Sequence, residues 1–539
     1  MLKVSVIVPV YNPGPNIDEC VSSLLGQSLA PEEYELIFVD DGSTDGTSGR
    51  LDELASQHAN VRVEHIPNSG WPGRPRNIGS DMAQGEFVYF VDNDDWLGPR
   101  ALERMYANAV RHEADIVIGK VVGHGKTVPR TLFRRNRSDL TLEWPPLLRL
   151  LTPHKLFRKS MLDEHGIRFP EGRRRLEDHL FVVHAYFHAR RISVLANYPC
   201  YHWMLRDASA SWKPFDPVAY FDNVREVLDL VDEHTEPGPL RDQLYAHWYR
   251  SKLLSRVGSG PFVRREPQYR RELYDEIRRL ALERYGPEVN DRLPFNLRMR
   301  SSLLREGSYQ SIGALAELED GLEGDVTVRR VRLDDDVLRL ELRAALGGSQ
   351  PLAFVREGAR MVWRPPEAVR RELRAEELEA SEGLKRSNVQ VLLRSTRDGS
   401  EYTLPTVSEM VMVSTSEGSE TKMPVLIAVS EASVLEAAAG ARLPAGQWHV
   451  RVLVDVAGFT AIADAVRLAP RSRFDLLRWR RDPRPLRITV TGDGRLRMRP
   501  PLRRRLARRL PRRARRLLRR ARRRGRAAIG RTRRRFAAT

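Results

Sequence analysis

Three carboxylates end an apolar segment in the stretch FVYFVDNDDW, which runs from Phe87 to Trp96. Asp92, Asp94 and Asp95 would repel one another unless they hold a cation or serve a reaction. Carboxylate oxygens are hard ligands, and Mg²⁺ or Mn²⁺ typically binds through few of them together with substrate phosphates. A divalent ion there would neutralise the charge that develops on a departing diphosphate. The spacing therefore indicates a diphosphate site with Mn²⁺ or Mg²⁺ as the cofactor.

Two earlier segments carry residues that could serve the same site. The segment VDDGSTDG ends an apolar run with Asp40 and Asp41, and one carboxylate would be enough to cap the turn that follows. The loop NSGWPGRPRNIGS places Arg76 before a short helical pattern, where a guanidinium group can bind a phosphate through two hydrogen bonds. The first apolar run is not followed by G-x-G-x-x-G, which argues against a dinucleotide-binding dehydrogenase.

A second acidic pair, Glu177 and Asp178, stands in RRLEDHLFV. The surrounding pattern predicts the start of a helix, and acidic residues in a first turn are favoured by the helix macrodipole. A carboxylate can also take the proton of an attacking hydroxyl group as a general base. The residues by themselves leave both interpretations open.

The elements that must position these residues follow from hydrophobic periodicity. The first 120 residues alternate short apolar runs with patterns that repeat at i, i+4 and i+7, which is typical of amphipathic helices. The predicted strands cover residues 3–10, 34–40, 61–66, 87–92 and 115–119. Such alternation predicts an α/β, Rossmann-like fold with parallel strands. Ligands of these folds bind at the carboxyl ends of the strands, where the acidic residues lie.

The pattern changes twice along the rest of the chain. After residue 212 it becomes mainly helical, and from about residue 321 it becomes strand-like with intervening turn signals. We therefore predict an α/β domain over 1–212, a helical linker domain over 213–320, and a β-rich, immunoglobulin-like region that resembles a β-sandwich over 321–480. An arginine-rich basic tail follows over 481–539.

The net charge of +19 arises from arginine residues near the end of the sequence. Residues 501–539 contain 19 arginines and no acidic residue, so the first 500 residues are neutral overall. A basic amphipathic helix, interrupted at Pro511, would bind an anionic membrane surface or an anionic polymer. A solvated arm of like charges is the alternative. Nucleic acid is disfavoured, because Phe536 is the only aromatic residue of this segment that could stack on bases.

The cysteine content and hydropathy predict a cytoplasmic protein. Cys20 and Cys200 are the only cysteines, which argues against a disulfide framework. No apolar run approaches the roughly 18 residues that a membrane span needs. Together with the basic tail, these features predict a cytoplasmic protein that lies peripherally at the inner face of the cell membrane.

Taken in order, VPVYN, VDDGSTDG, the NSGWPGRPRN loop and VDNDD resemble the motifs of the family 2 glycosyltransferases over roughly residues 1–212. This resemblance implies a GT-A fold and a UDP-sugar donor. It assigns the nucleotide-sugar-binding and metal-binding roles as follows: Pro9, Tyr11 and Asp41 around the nucleobase, Asn68 and Arg76 near the nucleotide and diphosphate, Asp92 at the ribose or sugar, and Asp94 as the metal ligand.

The same resemblance assigns roles to the residues that follow. In the family, the acidic pair begins a helix that faces the acceptor, so Asp178 is the predicted catalytic base, with Glu177 beside it. A base opposite the departing diphosphate implies a single displacement with inversion. In YHWMLRDASASW, Arg206 and Ser211 match residues that fold over the diphosphate. His202 either joins the metal or phosphate shell or packs in the core.

The overall layout resembles the wall teichoic acid glycosyltransferases, which transfer N-acetylglucosamine to poly(ribitol phosphate). That resemblance implies an anionic cell-wall glycopolymer as the acceptor. It also implies that the β-rich region forms a homo-oligomer, such as a trimer. Two alternatives stay open from the sequence. One is a transferase that acts on a lipid-linked or capsule-like glycan, and the other is a non-catalytic protein that binds an anionic polymer.

Overall fold

The computed structural model describes residues 2–206, 215–334, 336–444 and 446–464, together with the backbone of strands at 467–474, 487–490 and 496–499. Ser211 and the arginine-rich segment 501–539 therefore lie outside the described residues. Within these ranges, no helix is both long enough and apolar enough to cross a bilayer.

The first part of the described chain is built on one mixed sheet. The strand order across this sheet is β3-β2-β1-β4-β8-β6-β9-β5, and β7 pairs with β9. The strands are β1 (Val4–Val10), β2 (Tyr34–Asp40), β3 (Val61–His65), β4 (Phe87–Phe90), β5 (Trp96–Leu97), β6 (Ile116–His124), β7 (Arg137–Leu140), β8 (Leu156–Arg158) and β9 (Ile192–Met204).

Helices of this part alternate with the strands. They are α1 (Ile17–Leu25), α2 (Thr47–Gln57), α3 (Gly73–Met82), α4 (Ala101–His112), α5 (Lys159–Glu164) and α6 (Glu177–His188). Every residue of β1 and β2 is buried, which matches their nearly continuous apolar sequence and places helices on both faces of the sheet.

The predicted α/β class is confirmed, but the sheet also contains antiparallel pairs, since β5 and β7 are antiparallel to β9 and β8 is antiparallel to its neighbours. Strands β3, β2, β1 and β4 are parallel to one another, as the alternation predicted. Strand β8 then lies between β4 and β6 and is antiparallel to both, so the sheet is mixed rather than wholly parallel. This short strand has only three residues, and its pairing with β4 joins residues about 70 positions apart.

The predicted helical segment consists of seven helices within residues 217–320. They are α7 (Pro217–His234), α8 (Pro239–Trp248), α9 (Ser259–Val263), α10 (Pro267–Arg284), α11 (Pro287–Asp291), α12 (Phe295–Arg305) and α13 (Tyr309–Asp320). The predicted apolar stripes of α7 and α10 are buried as expected. A short π-helical turn, Tyr249–Leu253, directly follows α8.

The β-rich part contains two described sheets that pack face to face. One sheet has the order β13-β12-β17-β11-β10-β20, with β16 also paired to β17, and the other has the order β15-β14-β18-β19. Strands β14 and β18 contact β10, β11, β16 and β17 across the interior, which gives the predicted sandwich-like arrangement.

The elements of this part complete the described chain. The strands are β10 (Leu322–Asp334), β11 (Val337–Gly348), β12 (Phe354–Glu357), β13 (Arg360–Trp363), β14 (Asn388–Ser395), β15 (Glu401–Leu404), β16 (Thr406–Ser414), β17 (Lys422–Ser433), β18 (Trp448–Val456), β19 (Phe459–Ala463), β20 (Arg467–Phe474), β21 (Arg487–Val490) and β22 (Leu496–Arg499). Two short helices, α14 (Glu367–Arg370) and α15 (Ser381–Lys385), lie between β13 and β14.

Polar contacts join the β-rich part to the first domain. The Glu401 carboxylate accepts hydrogen bonds from Arg130 at 2.6 Å and from Arg451 at 3.0 Å, so one side chain bridges the two parts. The buried ammonium group of Lys120 donates to the Glu401 carbonyl oxygen at 2.8 Å. These contacts hold the sandwich against the loop between β6 and β7.

Candidate active site

A cleft forms where β1, β2 and β4 end at the same edge of the sheet. It has a volume of about 300 Å³. Six residues that the sequence assigned to the nucleotide sugar or the metal line this cleft, namely Pro9, Tyr11, Asp41, Arg76, Asp92 and Asp94. Parallel pairing brings them together, because the carboxyl ends of parallel strands meet at one edge.

The three carboxylates of the VDNDD motif sit in a tight turn. The Asp95 amide donates to the Asp92 carbonyl oxygen at 3.1 Å, so Asn93 and Asp94 form the tip of the turn. Strand β5 follows at once and pairs with β9, which fixes the base of the turn. Each carboxylate therefore meets a different environment.

Asp92 is held by two basic groups. Its Oδ1 accepts from the Arg76 guanidinium at 2.9 Å, and its Oδ2 lies 3.1 Å from Nε2 of His154. Burial raises the pKa of the Asp92 carboxyl, but His154 and Arg76 outweigh that effect and hold this pKa well below its usual range. Asp92 is therefore ionised and serves as the fixed negative charge of the site.

Asp95 is buried and has a structural environment. Its carboxylate accepts from the Tyr201 hydroxyl at 2.6 Å and from the Met204 amide at 2.7 Å, which ties the turn to β9. Burial, together with the charges of Asp92 and Asp94, raises the pKa of Asp95 to about 8. A neutral Asp95 removes much of the repulsion that three adjacent carboxylates would otherwise create.

Asp94 is the one carboxylate of the three that takes part in none of the contacts described for Asp92 and Asp95. Within the described residues, its side chain accepts no hydrogen bond from another residue, whereas burial and the charge of Asp92 raise its pKa. A bound cation would relieve both effects, so the donor chemistry fits the predicted divalent ion. Asp92, Asp95 and His154 also bring ligand atoms within 4.8 Å of one another, but each of their carboxylate oxygens already accepts a hydrogen bond.

The other side of the cleft is organised by Asp41. Its carboxylate accepts from the Ser69 amide at 2.7 Å and from the Ser69 hydroxyl at 2.9 Å. Asn68 donates its side-chain amide to the Asp41 carbonyl oxygen at 2.8 Å and lies behind the cleft rather than along it. The two residues thus fix the loop that carries Trp71 to the mouth of the cleft.

Arg76 connects the cleft to the second acidic pair. Its guanidinium group is buried and lies 3.5 Å from the Glu177 carboxylate as well as 2.9 Å from Asp92. Its Nε and one terminal nitrogen have no hydrogen-bond acceptor in the structure, so the group has donors left for a ligand. Arg76 therefore holds the sheet edge and the first residue of α6 at one charged centre.

Asp178 follows Glu177 in the first turn of α6. Leu176, just before the helix, has a left-handed backbone with φ of 63°, which turns the chain sharply into the site. Burial and the neighbouring Glu177 raise the pKa of Asp178 to about 7. A carboxylate whose pKa lies near neutrality is matched to general-base work, because it can hold the proton that it removes.

A second cavity, of about 720 Å³, adjoins the cleft and contains Asp178. Trp71 lines both spaces, so they are neighbours on either side of this residue. The walls come from three parts of the chain: Leu148–Thr152 of the first domain, Lys252 and Arg256 after α8, and Gln390 and Leu453 of the sandwich. We call this space the acceptor groove.

Cations crowd around the acceptor groove. Arg149 and Lys252 line it, and Arg250 lies next to Arg149. Burial and the charge of Arg149 lower the pKa of Arg250 to about 10. None of these three cations forms an ion pair within 4 Å with a carboxylate of the described residues. The lysine and arginine residues that line the groove outnumber its two carboxylates, Glu177 and Asp178, and a net positive lining favours an anionic ligand.

The remaining predicted residues fall at the edge of the site. Arg206 donates to the Asp94 carbonyl oxygen at 3.1 Å, which places it beside the turn, and Ser211 lies outside the described residues. His202 stacks on Trp96 at 5.0 Å, and its Nδ1 lies 3.0 Å from His124. These contacts agree with the packed-core alternative for His202.

Two buried residues of this site have no counterpart in the sequence-based prediction. His154 holds Asp92 and stacks on Tyr201 at 4.0 Å. Lys155 is buried near Asp178, and burial lowers its pKa to about 7. Both precede β8, whose antiparallel pairing with β4 brings them to the sheet edge. The only local signal is a turn, TPHK, before the three-residue strand LFR.

Two family models match this chain. One, described as glycosyl transferase family 2, matches residues 5–198, and the other, described as the glycosyl transferase TarS linker domain, matches residues 217–316. The two matches cover the mixed-sheet part and the helical part, respectively.

Curated relatives carry related names. The chain is 37% identical over 235 residues to a poly(ribitol-phosphate) beta-glucosyltransferase of Bacillus spizizenii, covering 43% of this chain and 37% of the relative. It is 34% identical over 257 residues to the poly(ribitol-phosphate) beta-N-acetylglucosaminyltransferase TarS of Staphylococcus aureus, covering 46% and 44%. It is also 30% identical over 229 residues to the glycosyltransferase GlyG of Streptococcus pneumoniae, covering 40% and 74%. The matched segments thus span less than half of the first two relatives.

Two solved structures of S. aureus TarS are similar to this chain. The structure of residues 1–349 of S. aureus TarS in complex with UDP-GlcNAc has a TM-score of 0.53 and 27% identity, and the match covers 63% of this chain and 96% of that one. The longer S. aureus TarS structure has a TM-score of 0.53 over 92% of this chain at 21% identity, which shows similarity of fold alone.

Proposed function

Because the chain belongs to glycosyl transferase family 2, we propose that it transfers a sugar from a UDP-sugar to a hydroxyl group of an anionic cell-wall glycopolymer such as teichoic acid. The observation that carries this proposal is that a cleft lined by Asp92 and Asp94 adjoins, at Trp71, a cationic groove that contains Asp178. One space suits a nucleotide sugar, and the other suits a polyanion.

The cleft would bind the donor. Pro9, Tyr11 and Asp41, which line the cleft, would surround the nucleobase, and the Arg76 guanidinium would donate to the diphosphate. We take UDP-N-acetylglucosamine as the donor, since a related structure was solved with that ligand. Glucose is the other sugar that the names of the relatives suggest.

Asp94 would hold Mn²⁺ or Mg²⁺, with Asp92 as the neighbouring fixed charge. When bound, such an ion supplies positive charge that stabilises the departing diphosphate. Asp92 itself stays paired with Arg76 and His154, which keeps the turn in place. Arg206 lies beside the same turn and would contact the diphosphate. Ser211 is assigned to this role by the family pattern alone.

Asp178 would act as the general base. Its ionised form removes the proton of the acceptor hydroxyl as the oxygen attacks the anomeric carbon, and the bond to the diphosphate breaks on the opposite face. Glu177 holds Arg76 and so aligns the base with the cleft. A displacement of this kind inverts the α-linkage of a UDP-sugar, which agrees with the β-products in the names of the relatives.

The acceptor groove would bind the polymer through its cations. Lys252 and Arg149 form no ion pair within 4 Å with a carboxylate of the described residues, so both would be able to contact phosphate groups along a polymer. The groove is also lined by Gln390 and Leu453 of the sandwich, so the β-rich part would contribute to acceptor binding.

We place the domain boundaries near residues 212, 320 and 480, as the sequence suggested.

Two further properties belong to this proposal. An apolar stripe on β16, formed by Val407, Val411 and Val413, is exposed, and we assign it to contacts between copies of the chain in a homo-oligomer such as a trimer. The arginine-rich segment 501–539 is assigned to an anionic membrane surface, on the basis of its composition. Both are consistent with a cytoplasmic enzyme at the inner face of the membrane.

The first prediction tests the chemistry. Asp178→Asn keeps the shape of the side chain but cannot accept the proton, and Asp94→Ala removes the metal ligand. UDP release from UDP-N-acetylglucosamine, with Mn²⁺ and purified teichoic acid, is expected to fall by about 10²- to 10⁴-fold in each variant. In the unmodified protein, the rate is expected to rise with pH through about 7, because only the ionised Asp178 is a base.

Asp291→Asn, at the exposed end of α11, is the matched control and is expected to keep full activity. Circular dichroism will show that all three variants are folded. Normal turnover in both Asp178→Asn and Asp94→Ala would refute the mechanism, and a complete lack of turnover in the unmodified protein would favour the non-catalytic polymer-binding alternative.

The second prediction concerns the groove. Lys252→Ala is expected to raise the KM for the polyanionic acceptor about tenfold, since a charge-assisted contact contributes roughly 1.5–3 kcal/mol. In the same variant, the KM for the UDP-sugar, measured by its hydrolysis without an acceptor, should stay unchanged. Lys385→Ala, on the exposed α15, is the matched control. An unchanged KM for the acceptor would show that the polymer binds elsewhere.

The third prediction concerns self-association. Val411→Asp is expected to shift the protein to monomers in sedimentation velocity experiments, because it places a charge in the apolar stripe of β16. Val218→Asp, on α7, is the matched control, since the two valines are 47% and 48% exposed. A monomeric unmodified protein, or an unchanged mass in Val411→Asp, would contradict the assignment of this stripe.

The fourth prediction concerns the basic segment. The full chain is expected to sediment with phosphatidylglycerol vesicles at low salt and to dissociate as salt is raised. A chain without residues 501–539 should stay in the supernatant. Equal binding of both proteins would identify the segment as a solvated arm.

A further inference from the structure

Three histidines meet near the carboxyl-terminal end of α6, at the opposite end of this helix from Glu177 and Asp178. His184 and His188 lie one turn apart on α6, and His234 is the last residue of α7. Their ring nitrogens approach within 4.8 Å of one another. All three side chains are half-buried, so they are neither free in solvent nor sealed in the core.

The relative orientation of the rings suits convergence on one point. The three ring pairs have centroid distances of 5.0, 5.4 and 5.4 Å and interplanar angles of 66°, 67° and 90°. Steeply inclined planes allow each ring to direct a nitrogen lone pair into the shared space, which stacked planes would prevent. The cluster therefore has the arrangement of a trigonal set of imidazole ligands.

Neighbouring groups hold two of these rings in place. Nδ1 of His234 lies 3.0 Å from the Leu230 carbonyl oxygen, so Nδ1 carries the proton and Nε2 keeps its lone pair. Phe187 stacks on the same ring at 4.7 Å, and His165 stacks on His188 at 4.0 Å. Such outer contacts fix the tautomer and the direction of a metal-binding imidazole.

The electrostatic setting also favours a cation. His188 is the last residue of α6 and His234 is the last residue of α7, so the negative ends of two helix dipoles meet at the cluster.

We propose that His184, His188 and His234 bind a divalent transition-metal ion of the zinc class, with a fourth coordination position left for water. Imidazole nitrogen suits Zn²⁺, whereas Mg²⁺ and Ca²⁺ prefer oxygen ligands. The residues come from two helices that belong to different parts of the chain, so the ion would join α6 of the first domain to α7 of the helical part.

The position of this site gives it a structural role. Glu177 and Asp178 occupy the first turn of α6, and His188 ends the same helix eleven residues later. At 1.5 Å per residue, the two ends lie roughly 16 Å apart, too far for the ion to touch the reacting groups. The ion would instead fasten the helix that presents the base, and it would be distinct from the Mn²⁺ or Mg²⁺ proposed at Asp94.

The test uses the full chain without a polyhistidine tag, after removal of metals with EDTA and dialysis at pH 7.5. Zn²⁺ is expected to bind with a stoichiometry of about one per chain by mass spectrometry of the gel-filtered protein, and the thermal midpoint is expected to rise. Co²⁺ in place of Zn²⁺ should give the visible absorption of a tetrahedral site. Mg²⁺ should give no visible absorption, and any thermal shift that it causes should be the same in variants of the three histidines.

Matched variants separate this site from others. His184→Gln and His234→Gln are each expected to lose the bound Zn²⁺, the Co²⁺ spectrum and the thermal shift. His112→Gln, in the last turn of α4 and outside the cluster, should keep all three, and so should Asp94→Ala. Retention of Zn²⁺ by both cluster variants would overturn the proposal, as would the absence of Zn²⁺ binding in the unmodified chain. None of these readouts depends on sugar transfer.

Discussion

The pairing of Asp92 with Arg76 and His154 is the interaction on which the candidate active site depends. The Arg76 side chain is 5% exposed, so leaving its guanidinium group without a carboxylate would be costly, whereas the Asp92 side chain at the cleft keeps 32% of its surface exposed. Here the two basic groups occupy both oxygens of Asp92, at 2.9 and 3.1 Å. That arrangement lets a permanent negative charge stay at the edge of the sheet, and every other charge of the site is arranged around it.

This centre also explains how three carboxylates fit into one turn. The negative charge of Asp92 is compensated by its basic partners. Asp95 adds little repulsion between carboxylates, because its pKa of about 8 keeps its carboxyl group largely protonated at neutral pH. Asp94 alone remains at the tip with an unfavourable environment. Arg76 extends the centre to Glu177, so the position of α6 depends on the same ion pair. The cleft and the proposed base are therefore one electrostatic unit rather than two neighbouring sites.

The sequence predicted the part of this unit that follows from local patterns. Buried parallel strands read as continuous apolar runs, and polar residues at their ends, such as Asp41 and Asp92, gather at one edge. The positions of Arg76 and Asp178 came from the family resemblance, because their spacing also fits ordinary loop and helix residues. His154 and Lys155 could not be predicted, since they reach the site through the antiparallel pairing of β8, a strand of three residues. Likewise, His184 and His188 show their i, i+4 spacing in the sequence, but His234 joins them only through the packing of α7 on α6.

The helical part is needed for the catalytic geometry as well as for the acceptor groove. The indole nitrogen of Trp248 in α8 donates to Nδ1 of His179 at 3.2 Å, and His179 directly follows the proposed base. Lys252, one turn later, lowers the pKa of Asp178, whereas burial raises it. The side chain of Asp178 thus has a proton affinity that the first domain alone would not produce. An isolated mixed-sheet domain would keep the cleft and its carboxylates, but it would lose the cation that tunes the base and two of the three walls that surround the acceptor.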